Sequence, residues 1–196
     1  MPDALIGRAN AQGPTAVLVA KPVSLPDMVL GSAKAHVTIV EYSSLTCPHC
    51  AAFEQNVFPM LRSKYIDTGK VRFVSREFPL DIKAASASML TRCVAGGDPQ
   101  KYFDVLDRLF KRQEALLDHT LETLNEVGKQ FGMDEAAVAA CEKDQAQLDK
   151  LSADQKFAFE QLKVDATPYF FINGERVRGA MSFEEFEAKL RPLLKR

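Results

Sequence analysis

The 196-residue chain has no tryptophan, only three histidines and four cysteines, and almost no net charge. With 25 Lys plus Arg against 26 Asp plus Glu, the net charge of −1 leaves no electrostatic footprint for nucleic acid. Apolar runs such as Ala16–Ala20 are far shorter than the roughly 20 residues that cross a bilayer. A hydrophobic fraction of 46% beside 26% charged residues excludes disorder as the main description and supplies material for a core. The length suits one domain, or one domain carrying an insertion. Four cysteines permit at most two disulfides, so packing must supply most of the stability. Met1–Asn10 holds one basic residue, Arg8, and no stretch apolar enough for the heart of a signal peptide. Either the protein stays in the cytosol, or a signal has been removed and Met1 is not native.

What is present falls into blocks. Residues 1–35 are rich in Pro, Gly and Ala and read as an N-terminal arm, with Thr15–Ala20 fitting a short edge strand. His36–Tyr42 is β-branched and apolar almost throughout, the pattern of a strand buried on both faces. A short loop, Ser43–Thr46, precedes a helix from about Cys47 that carries Phe53, Val57, Met60 and Leu61 on one face, with a kink due at Pro59. Val71–Ser75 is a second strand. From Asp81 to about Val164 the period is helical, with candidate helices at 82–95, 99–111, 120–131, 134–147 and 150–162. Tyr169–Ile172, Asn173-Gly174 and Glu175–Arg178 then form a strong hairpin signal, since Asn-Gly suits a type I′ turn. Ser182 and Glu185 make a capping box for a last helix with Phe183, Phe186 and Leu190 facing inward. The order predicts an α/β, thioredoxin-like fold over 36–80 and 164–196, with an all-helical insertion over 81–163.

The chemistry is concentrated at Cys47-Pro48-His49-Cys50. With Cys47 at the N-cap and Pro48 at the first helical position, Cys50 falls one turn on, close enough to bridge Cys47. The helix N-terminus presents unpaired N–H groups and partial positive charge to the Cys47 sulfur, and His49 adds a donor or a charge. Each favours a thiolate. A thiol moved from about 8.5 to about 4 stabilises the reduced form at pH 7 by roughly 4 kcal/mol. For a two-electron couple that is on the order of 90 mV toward oxidising behaviour. Zinc is the competing use of C-x-x-C, but a ribbon needs a second such pair or two spaced histidines, and neither is present.

Glu41–Cys50 (EYSSLTCPHC) resembles the active-site segment of the DsbA family of thiol–disulfide oxidoreductases, with Pro-His as the DsbA-type dipeptide between the cysteines. A second motif, Ala166–Gly174 (ATPYFFING), extends the likeness, which runs from about residue 36 to 192. The resemblance implies a cis bond before Pro168, packed beside the cysteine pair, which leaves the Thr167 backbone open to pair with a substrate peptide. A hydroxyl at Thr167 could also donate to the Cys47 thiolate. An acid inside HVTIVEY is costly to bury without a task. The resemblance gives Glu41 one, six positions before Cys47: helping to move the proton of the buried cysteine, with its pKa raised by burial. The alternative is an outward-facing glutamate.

The resulting expectation is an enzyme without cofactor that introduces disulfides into folding secreted proteins, in the periplasm. The resemblance implies reoxidation by a membrane partner. A disulfide isomerase or reductase on the same scaffold is the nearest alternative, and isomerases of this kind usually need oligomers. A metal-binding module using Cys47, His49 and Cys50 is the alternative from another class. Cys93 and Cys141 each sit on a candidate amphipathic helix, Cys93 beside Leu90 and Val94 and Cys141 beside Val138. They are expected to form a structural disulfide inside the insertion; the bland alternative is two unpaired cysteines acting as small hydrophobes.

Overall fold

The computed structural model describes residues 13–195; the reading of Met1–Asn10 lies outside the described residues, as do residues 1–12 of the arm. The described chain begins with helix α1 (Pro14–Val19), strand β1 (Met28–Leu30) and strand β2 (Val37–Ser43). Helices α2 (Pro48–Asn56) and α3 (Phe58–Leu61) and one π-helical turn (Arg62–Ile66) lead to β3 (Val71–Glu77). The helical block comprises α4 (Ile82–Ala95), α5 (Pro99–Lys111), α6 (Gln113–Asp118), α7 (Thr120–Gln130), α8 (Glu135–Glu142) and α9 (Gln145–Glu160). The hairpin β4 (Tyr169–Ile172) and β5 (Glu175–Arg178) follows, then α10 (Phe183–Leu194).

The five strands form one sheet in the order β1-β3-β2-β4-β5. Only β2 and β3 run parallel, as a strand–helix–strand crossover requires. Alternate residues of central β2 enter different clusters. Val37 and Ile39 join Phe53, Phe73, Phe170 and Phe186 beneath α2 and α10, while Val40 and Tyr42 join Val19, Val74, Leu162 and Phe171 on the other face. Glu41 therefore lies on the α2 side, in register with Ser75 and Phe170.

The N-terminal region departs from expectation. The segment expected as an edge strand, Thr15–Ala20, instead forms most of helix α1 and its C-cap, Ala20. Pro14 presets φ at the first helical turn, where its missing N–H costs nothing. Val19 is buried on the sheet while Val17 is 61% exposed, a one-sided contact that a helix turn satisfies. The edge strand is instead β1, which pairs antiparallel with β3 and brings residues 28–30 of the arm into the sheet. Side chains from the body hold this segment. Asp154 accepts the N–H groups of Ser24 and Leu25, at 2.8 and 2.9 Å. Arg76 pairs with Asp27 and donates to the Val19 carbonyl.

Three smaller differences have local causes. The helix that starts after Cys47 breaks at Val57, two residues before Pro59, and Met60 is 44% exposed instead of lying on the inner face. The helix expected over 134–147 ends at Glu142, because the Asp144 side chain caps α9 by accepting the Gln147 N–H at 3.0 Å. Helix α6 was not signalled at all.

The hairpin has the anticipated turn, with Asn173 at φ 48° and Gly174 at φ 84°. A Cβ on Gly174 would also stand 2.4 Å from the Ala16 side chain, so glycine is required there for the approach of α1 as well. Both halves of the Ser182–Glu185 capping box are made. Cys93 of α4 and Cys141 of α8 are joined in a disulfide, with Cα atoms 5.8 Å apart; Cys141 is buried but Cys93 is exposed, so the bond lies at the surface of the block rather than in its interior.

Candidate active site

Cys47 is the N-cap of α2, with Pro48 as the next residue. Its sulfur accepts the Cys50 backbone N–H at 3.4 Å, one of the donors every helix leaves unpaired at its start. The thiol donates to the Thr167 carbonyl, also at 3.4 Å. Both cysteines are free thiols, Cys47 4% exposed and Cys50 fully buried. The two sulfurs titrate in opposite directions. Cys47 is lowered to about 5, chiefly by the Cys50 thiol beside it and further by the backbone N–H groups of Cys50 and His49, against the opposing effect of burial. Cys50 is raised, first by burial, then by its bond to Cys47 and the charge of Glu41.

The neighbours divide between those that face the sulfurs and those that do not. Pro48 and His49 are exposed, and His49 acts on Cys47 through its backbone N–H. The Thr167–Pro168 bond is cis and Pro168 is buried. The Thr167 carbonyl, not its hydroxyl, contacts the thiol; that hydroxyl is buried without a hydrogen-bond partner. Glu41 is 4% exposed, and its pKa is raised well above the usual carboxylate value by burial and by the charges of Glu54 and Cys47. It does not face outward. Among the described residues no group of three or more His, Cys, Asp or Glu side chains could hold a metal ion.

Glu54 was missed by sequence reasoning. It is 7% exposed on α2, four residues after Cys50, with its pKa pushed up to about 8 by burial and the charge of Asp107. The i, i+4 spacing from Cys50 was the available signal, since it sets both residues on one helix stripe. Gln113 was missed too. Its side-chain amide donates to the carbonyls of Leu45 and Cys47, at 2.9 and 3.0 Å. On the other side of that loop the Thr46 hydroxyl donates to Asp81, the N-cap of α4, at 2.7 Å. The helical block thus holds the turn before the cysteine pair from two directions.

A dithiol at a helix N-terminus, in contact with a cis-proline loop at one end of a mixed sheet, defines a thioredoxin-fold dithiol protein. Residues 24–191 match the thioredoxin family model. The crystal structure of Wolbachia pipientis alpha-DsbA1 superposes with a TM-score of 0.82 at 31% identity, covering 92% of this chain and 96% of that one. BdbD from Bacillus subtilis, in its oxidised form, shares the fold with a TM-score of 0.76 at 21% identity, covering 90% and 97%. A Rickettsia bellii protein named as a protein-disulfide oxidoreductase is 36% identical over 150 residues, which cover 76% of this chain and 57% of that protein. The chain thus spans little more than half the length of that relative. It belongs to the DsbA family, a thioredoxin-like α/β fold with a helical insertion.

Proposed function

We propose that this chain is a protein thiol–disulfide oxidoreductase that gives its Cys47–Cys50 disulfide to folding proteins. The observation that carries the reading is the placement of the two sulfurs, Cys47 at the N-cap of α2 accepting the Cys50 N–H and Cys50 fully buried one turn inside, which lowers the pKa of Cys47 and raises that of Cys50. A substrate thiolate attacks the Cys47 sulfur of the oxidised pair, the Cys47–Cys50 bond breaks, and Cys50 leaves with the electron pair. Cys50 must then take a proton, because its buried thiolate is disfavoured. Glu41 is the proton-handling group, a buried carboxyl whose pKa is raised well above the ordinary carboxylate value, and Glu54 offers a second. The second substrate thiolate attacks the substrate sulfur of the mixed disulfide. Cys47 departs as a thiolate, a good leaving group at its lowered pKa, and the substrate is left oxidised by two electrons. Thr167, with its backbone beside Cys47, and the buried Pro168 form the rim on which an extended substrate lies.

A protein that ends each cycle reduced needs reoxidation, and a membrane oxidant partner completes the scheme. The Cys93–Cys141 bond supports a periplasmic location, since such bonds persist in oxidising compartments. Oxidised protein mixed with a reduced, unfolded substrate is expected to transfer one disulfide per chain, and to leave a scrambled-disulfide substrate unrearranged. Rearrangement of the scrambled substrate at a comparable rate would favour the isomerase reading instead.

A further inference from the structure

The junction between α5 and α6 bears directly on the Cys47 turn. Arg112 ends α5 at φ −113° and ψ 25°, outside the helical region, and its guanidinium pairs with Glu126 of α7. The break sets Gln113 at the first position of α6. A primary amide has two N–H donors. Gln113 uses its amide nitrogen on the two carbonyls that flank Thr46, at 2.9 and 3.0 Å. The Cys47 carbonyl also accepts the Ala51 N–H at 3.1 Å, the hydrogen bond that opens α2. A second glutamine crosses the same interface the other way: Gln55 of α2 donates to the Phe110 carbonyl near the end of α5, at 3.2 Å. Two side-chain amides therefore clasp α2 to the α5–α6 junction, and of the two only Gln113 touches the Cys47 turn.

We propose that Gln113 is a positioning residue for disulfide exchange, holding the carbonyls on either side of Thr46 so that the Cys47 sulfur keeps its place at the start of α2. The proposal rests on Cys47 being the exchanging sulfur. The Cys50 N–H reaches that sulfur at 3.4 Å, and a rotation of the turn that lengthens or bends this contact weakens it. Without Gln113 the two carbonyls also lose a donor that offsets their partial negative charge next to the thiolate-bearing residue. Both effects act in one direction, toward a less stable thiolate and a weaker oxidant.

Gln113→Met removes both donors at similar length. Gln113→Glu keeps the shape and turns acceptors toward the two carbonyl oxygens. Gln55→Met is the control, removing the other half of the clasp and leaving the turn untouched. The thiolate absorbance of reduced protein, titrated with pH, and the redox equilibrium with glutathione are the readouts. Both Gln113 variants are expected to titrate at higher pH, and their equilibrium constants to fall by about threefold to tenfold, the span of one or two neutral hydrogen bonds, with the larger fall in Gln113→Glu. Gln55→Met is expected to lose stability to denaturant while titrating and equilibrating as the unmodified protein does. Unchanged readouts in both Gln113 variants overturn the proposal. So does an equal change in Gln55→Met, which would reduce the effect to general loosening of the interface. Failure of the unmodified protein to exchange with glutathione would overturn the assignment of Cys47 itself, a separate result.

Discussion

Cys47→Ser is expected to abolish thiol oxidation and to leave no adduct with substrate, whereas Cys50→Ser is expected to accumulate mixed disulfides. The asymmetry follows from where α2 places each sulfur. Cys47 lies at the helix start, with the Thr167 carbonyl beside it at 3.4 Å, so an incoming chain paired with that backbone delivers its sulfur there. Cys50 is fully buried one turn inside, unreachable by a protein substrate, and serves only to resolve or to leave. Cys50→Ser keeps a reactive Cys47 that attacks a disulfide and then has no partner to release it. The loss in Cys47→Ser should be complete within detection. Non-reducing electrophoresis and intact mass of each variant after incubation with a disulfide-bonded substrate give the answer. Adducts that require mutation of Cys47 rather than Cys50 would reverse the roles and contradict the geometry.

Removing the second disulfide should cost stability and leave exchange alone. Cys93 and Cys141 are 48 residues apart, and closing a loop of that size in the unfolded chain corresponds to about 4 kcal/mol, an upper figure since native strain trims it. The bond joins α4 to α8 within the helical block, whereas the cysteine pair sits at the start of α2. The double variant Cys93→Ala/Cys141→Ala is therefore expected to unfold at markedly lower urea while oxidising substrate as before. Thiol counting on the oxidised, denatured protein checks the premise. No free thiols should be found, and mild reduction should release two, those of Cys47 and Cys50, before the rest. Two reactive thiols in fully oxidised protein would remove the bond and weaken the periplasmic location with it.

The features legible in the sequence are those encoded over a few residues. Cys47-Pro48 at a helix start, Asn173-Gly174 in a two-residue turn and Ser182 with Glu185 at fixed spacing each carry their own geometry. The helix–strand periods of the central part were also readable, because each long element buries a regular face. What was not readable depends on which surface a segment meets. Thr15–Ala20 looks like strand by residue type, yet Val19 needs one apolar contact on the sheet and a short helix supplies it. Met60 fits the apolar period of α2, but the break at Val57 rotates it outward. Glu54 left a trace in its spacing from Cys50. Gln113 left none, because its partners at Leu45 and Cys47 are 68 and 66 residues away and only the packing of α5 and α6 brings them together.

The reduction potential of the Cys47–Cys50 pair tests the central claim most directly. Its expected value follows from the Cys47 thiolate. The folded value of about 5 lies below that of an ordinary thiol, so the reduced form gains stability that is complete above the ordinary thiol range and is lost as pH falls through about 5. At pH 7 the gain is on the order of 3 kcal/mol, about 60 mV for two electrons, somewhat less than the sequence alone suggested. Thioredoxin, with a thiol near 7, holds about −270 mV and gains little of this. A glutathione titration at pH 7 is therefore expected to place this pair about 50 mV or more above thioredoxin, with the advantage shrinking as the pH is lowered toward 5. A potential at or below that of thioredoxin would contradict a disulfide built to be given away.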